Sequence, residues 1–166
     1  MKEKGQSILE ALVALGAATI VMSAIAIAII ASVNNSDFSK YQNQATQYSQ
    51  QGIEILKQQS VSAWPTFSGY ASGLVYCFPL GTTLINPLGV SCSPNIGTNN
   101  FFVRSAVITK SNLDCPGNPN VAANRGTLVS VSTAWSDGKC KDSANPYCHS
   151  VVLNSCITDV NRVSSP

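Results

Sequence analysis

Glu10 is the only acidic residue between Glu3 and Asp37, and it stands directly before an uncharged apolar run from Ala11 to Val33. A carboxylate in that setting acts by pairing, because an ionised group placed alone in a low-dielectric region is costly and rare. The short leader Met1-Lys2-Glu3-Lys4-Gly5 before it suggests where a counter-charge could come from. A second reactive set is Cys77, Cys92, Cys115, Cys140, Cys148 and Cys156. Their even count and their position beyond the apolar run favour disulfides over reduced thiols. Six cysteines allow fifteen pairings, and short loops favour Cys77–Cys92 and Cys140–Cys148, leaving Cys115–Cys156. Zinc is the rival reading, but the chain has no C-x-x-C pair and one histidine, His149. Asp137, Asp142 and Asn145 share a loop and carry calcium-type oxygen ligands without EF-hand spacing, so solvated loop groups are expected there.

Catalytic patterns are missing. The chain contains no G-x-S-x-G, no H-E-x-x-H and no phosphate-cradling glycine loop. The nearest approach, Gly69-Tyr70-Ala71-Ser72-Gly73, has its serine one place late. No catalytic residue, cofactor or resident metal is expected, and the chain does not read as an enzyme.

The elements that must position Glu10 are helical. The 23 residues of Ala11–Val33 make roughly 35 Å of helix against a hydrocarbon core of about 30 Å. Lys2 and Lys4 precede the run, which favours a cytoplasmic N-terminus with residues 34–166 outside. Small residues recur four apart, Ala14 with Ala18 and then Ala24, Ala28 and Ser32, in rows that let helices approach closely in lipid. Beyond Asn34 the pattern turns amphipathic. Phe38, Tyr41, Ala45, Tyr48, Gly52 and Ile55 form one apolar stripe, with glutamines and Lys40 on the other faces. No proline occurs between Met1 and Ala63, so residues 6–59 read as one helix, roughly 80 Å long.

Trp64-Pro65 then disfavours helix, and residues 60–73 read as a linker. Four runs rich in β-branched and aromatic residues follow, at 74–80, 101–109, 126–135 and 149–158, within a domain spanning 74–166. The expected fold is α+β: a long N-terminal helix, one half membrane-spanning and one half amphipathic, packed against a small antiparallel disulfide-bonded sheet. The chain has 166 residues and a net charge of +2, enough beyond the apolar segment for one modest domain. Its ten basic residues are scattered, which gives no support to nucleic-acid binding.

The N-terminal arrangement resembles the type IV prepilin family, which comprises pilins of surface filaments and pseudopilins of secretion machines. Residues 1–5 match its short basic leader ending in glycine. Ser7-Ile8-Leu9 fits its hydroxyl-aliphatic-aliphatic pattern, and Glu10 would be the fifth residue after cleavage between Gly5 and Gln6. Gln6 stands where the family more commonly has Phe. The likeness covers roughly residues 1–57, is specific over 4–15, and is architectural beyond 60. It implies cleavage after Gly5 by a prepilin peptidase, N-methylation of Gln6, and an assembly role for Glu10. It further implies a structural subunit of a type IV pilus-like filament or pseudopilus. The implied partners are other pilin subunits in a homo- or heteropolymer, an inner-membrane assembly platform, and the membrane before assembly. The implied location is first a single-pass membrane protein and then an extracellular filament. Two alternatives stand beside this one. The first is a membrane-anchored or filament-tip binding module for adhesion or DNA uptake. The second is a secreted domain released by signal peptidase, since Ala24-Ile25-Ala26 and Ala26-Ile27-Ala28 satisfy a small-x-small rule.

Overall fold

A computed structural model of the chain describes residues 4–79, 81, 84, 92–93, 95–110, 115, 126–138, 140 and 146–158. The chain divides into two compact units, Met1–Lys40 and Tyr41–Pro166. One helix, α1 (Lys4–Ser62), supplies all of the described part of the first unit and continues into the second. Its 59 residues have a contour length of about 88 Å. The absence of proline and the frequency of Ala and Gln sustain that length. The helix opens at Lys4 rather than at Gln6, so the Gly5–Gln6 junction lies in its first turn. Few intrahelical bonds exist there, which keeps the entropic cost of glycine small.

Helix α1 ends at Ser62, and Ala63 leaves the helical region with φ −145° and ψ 59°. The segment expected as a plain linker then holds a short helix, α2 (Trp64–Gly69). Pro65 is compatible with it because the first turn of a helix needs no N–H from that position. Phe67 of α2 is buried.

Strands β1 (Val75–Cys77), β2 (Val103–Thr109), β3 (Thr127–Trp135) and β4 (His149–Ile157) form an antiparallel meander in the order β1-β2-β3-β4. The second strand starts later than its apolar run, because Ile96 bridges Phe102 across a tight turn at Thr98–Asn100. Gly97 is required in that turn: its φ is 89°, and a Cβ would stand 2.8 Å from the Phe102 ring. Pairing places Tyr76, Ala106, Val131 and Leu153 in one row, and Arg104, Thr133 and Val151 in the next.

This sheet face covers the C-terminal part of α1. The buried line runs through Ala45, Ser49, Ile53, Leu56 and Ser60, with Tyr41, Tyr48 and Ile55 at its flank and Phe38 exposed. The stripe is therefore rotated by about one residue from the aromatic line expected from sequence. Two local features account for the rotation. The Ser49 hydroxyl donates to Thr133 Oγ1 at 2.8 Å, which satisfies a buried polar group. Gly52 lets the backbone approach so closely that a Cβ would lie 2.9 Å from Val131 Cγ1 and 3.2 Å from the Phe78 ring. Around these contacts one core gathers Ile53, Leu56, Phe67, Phe78, Ile108, Val129 and Val131, and a smaller one gathers Ala45, Ile96, Phe102 and Trp135. Disulfides join Cys77 to Cys92, Cys115 to Cys156 and Cys140 to Cys148.

Candidate functional site

In the first unit, every residue from Ile8 to Lys40 is exposed, including Leu12, Ile20, Met22, Ile25 and Ile30. An uninterrupted apolar surface of this size is not sustained in water and calls for lipid or other helices around it. The helix is long and apolar enough to cross a membrane. Two of its hydroxyls are satisfied internally. Thr19 and Ser23 donate to the carbonyls of Gly16 and Thr19, each at 2.8 Å, so neither hydroxyl demands an outside partner.

Glu10 is exposed near the start of this surface, beside an open groove lined by Leu9, Val13, Ala14 and Ala17. Position 6 stands one helical turn before it on the same helix face. The backbone therefore brings the Gly5–Gln6 peptide and the lone carboxylate to one end of one face. The alanines of that groove leave space against the helix, the feature that permits close approach of another apolar helix.

In the second unit the polar centre is Arg104 on β2. Its side chain is fully buried. Nε donates to the Phe78 carbonyl at 2.9 Å, one terminal nitrogen to the carbonyl of Tyr48 at 3.0 Å and to Gln51 Oε1 at 3.3 Å, and the other to the carbonyl of Pro79 at 2.9 Å. The guanidinium carbon lies 4.3 Å over the Phe78 ring. The Asn95 side chain completes the arrangement, accepting from the Arg104 N–H and donating to its carbonyl, both at 2.9 Å. Desolvation by burial pushes the guanidinium down to about 10, with Tyr48 opposing the shift, and it remains charged at neutral pH. The arrangement ties α1, the segment after β1, and β2 together through carbonyl acceptors. It is a structural lock, with no reacting group beside it among the described residues.

His149 opens β4 opposite Trp135 at the end of β3, with ring centroids 5.4 Å apart. Its Nε2 lies 3.1 Å from Asp137 Oδ2. Asp137 thus meets the histidine, while Asp142 and Asn145, the other residues considered for calcium, lie outside the described residues. Cys140 and Cys148 join the same corner through their disulfide.

The chain matches no protein-family model, no curated protein and no solved structure. The uncovered apolar length of α1, with Glu10 at its leading edge, is long and apolar enough to cross a membrane. Arg104 answers a folding demand inside the domain. Sequence carried one overlooked signal for it: a lone cation in a strand otherwise apolar on alternate positions.

Proposed function

We propose that this chain is a structural subunit of a type IV pilus-like filament or pseudopilus, processed after Gly5 by a prepilin peptidase and assembled through α1. The observation that carries the reading is the form of α1. One unbroken helix presents Glu10 and an uncovered apolar length at one end and builds the core of a disulfide-bonded domain at the other.

Before assembly the apolar length lies in the inner membrane, with the N-terminus cytoplasmic and the domain outside. Processing creates the α-amine of Gln6, which the family likeness expects to be methylated. Assembly then transfers the helix from lipid into a bundle of like helices, an exchange of one apolar environment for another. That exchange leaves charge as the discriminating term. Glu10 pairs with the Gln6 amine of an adjacent subunit, which neutralises both groups in a low-dielectric core and sets axial register. A head-to-tail contact of this kind need not close on itself and so propagates as a fibre.

Mass spectrometry of protein isolated from cells should give an N-terminus at Gln6, and sheared filaments should contain the chain. A mature chain beginning near Ile27 or Ile29 would instead indicate signal-peptide release and overturn the reading, as would complete absence from purified filaments. Subunit stoichiometry along the fibre separates a major pilin from a minor one.

A further inference from the structure

We infer that Asp137, Cys140, Cys148 and His149 form a four-ligand zinc site whenever the Cys140–Cys148 disulfide is reduced. The ligand atoms of these four residues all lie within 4.8 Å of one another. A tetrahedral zinc with N, O and S ligands has ligand–ligand edges of about 3.4 to 3.8 Å. Two contacts already approach those values, through the two different oxygens of Asp137: His149 Nε2 to Oδ2 at 3.1 Å and Cys140 Sγ to Oδ1 at 3.9 Å. The two bonded sulfurs must part, one Asp137 oxygen must serve as the ligand, and the remaining pairs, all within 4.8 Å, must settle to tetrahedral edges.

Their surroundings suit a thiolate. The Ser136 hydroxyl is directed at Cys140 Sγ from 3.6 Å and the Cys148 backbone N–H from 3.3 Å. Disulfide sulfur is a weak acceptor, whereas donors of this type orient and stabilise a metal-bound thiolate. The frame is firm on both sides. Asp137 follows the last residue of β3 by two positions, and His149 is the first residue of β4, paired across the sheet with Trp135 and stacked near it. Two thiolates, one imidazole and one carboxylate make a donor set that favours zinc over calcium or magnesium.

The chemistry balances with a dithiol as reductant. Its thiolate attacks the disulfide, and Cys148 is exposed enough to be reached. Two electrons and two protons pass to Cys140 and Cys148, and the reductant leaves as its own disulfide. Zinc then displaces the two thiol protons to solvent and forms two Zn–S bonds, one bond to His149 and one to Asp137. A covalent clamp on the β3–β4 connection is exchanged for a coordinate one.

The test uses the full chain in detergent micelles, reduced with a phosphine under argon and titrated with zinc or cobalt(II). One metal per chain is expected, with a thiolate-to-cobalt charge-transfer band, and the oxidised chain should bind none. Peptide mapping after alkylation should find Cys140 and Cys148 shielded by zinc together. Because full reduction also opens the other two bridges, this map reads the site in the unaltered chain. Shielding that falls on Cys77, Cys92, Cys115 or Cys156, or equal reactivity of all six, overturns the inference. The double variant Cys140→Ser/Cys148→Ser should lose binding while retaining the other four cysteines. His149→Ala and Asp137→Ala should each weaken it by on the order of tenfold or more. Unchanged zinc affinity in His149→Ala, or equal binding by the oxidised chain, also refutes the site.

Discussion

Two charged residues divide the work of this chain, and each is intelligible from its solvation. Glu10 is exposed on an apolar helix, and on the proposed mechanism it is buried only when it meets the amine of an adjacent subunit. On the proposed mechanism Glu10→Ala leaves the Gly5–Gln6 cut intact but strands the neighbouring α-amine. An unpaired buried charge costs about 3–5 kcal/mol, which corresponds to roughly a hundredfold or more in subunit incorporation. Counting filaments beside the fraction of processed chain checks this, and normal filament numbers would remove charge pairing from the mechanism. Arg104, by contrast, is already buried and meets its acceptors within the fold. Arg104→Ala should destabilise the domain by about 3–5 kcal/mol, because it removes a buried cation and leaves its carbonyl acceptors unmet. Arg104→Lys should rescue only part of that loss, since an ammonium lacks the planar fork that reaches the carbonyls of Phe78, Tyr48 and Pro79 together. Urea unfolding followed by tryptophan fluorescence reads both. If Arg104→Lys proves as stable as the parent, the forked geometry is not what the site uses.

At the scale of elements, α1 combines two physical regimes. Up to Lys40 its apolar residues remain uncovered, and from Tyr41 onward they alternate between solvent and sheet. Hydrophobic periodicity marked the second regime as amphipathic but chose the aromatic line as its centre. The sheet instead centres on Ala45, Ser49, Ile53 and Leu56, because small residues allow the close approach that bulky Tyr41 and Tyr48 prevent. Gly52 tests this account. Ala would raise helix propensity by about 1 kcal/mol, yet its Cβ would meet Val131 Cγ1 at 2.9 Å. Overpacking of this kind costs about 1–3 kcal/mol. Gly52→Ala should therefore be neutral to destabilising by up to about 2 kcal/mol in thermal unfolding, where an exposed helical glycine such as Gly16 would gain from the same change. A clear stabilisation at Gly52 would show that the helix and sheet have slack between them.

At the scale of the whole molecule, three disulfides close loops of different span, 8, 15 and 41 residues. If they act mainly on the unfolded chain, removing Cys115–Cys156 by paired alanine substitution should cost about 4 kcal/mol against about 3 for Cys77–Cys92. Equal or reversed losses in chemical unfolding would point to native-state contacts instead. Sequence by itself determined the broad plan. A long uncharged run with one carboxylate at its edge, a proline-free helical pattern and strand-length β-rich runs are local properties, legible because period and composition act over neighbouring residues. Loop length pointed to the three disulfides that the structure makes, whereas only the tertiary structure decided which helix face is buried, that Arg104 belongs inside, and that Asp137, Cys140, Cys148 and His149 converge. Those outcomes depend on strand register and on backbone approach between segments far apart in the chain. A buried arginine is paid for by carbonyls that no sequence spacing brings together.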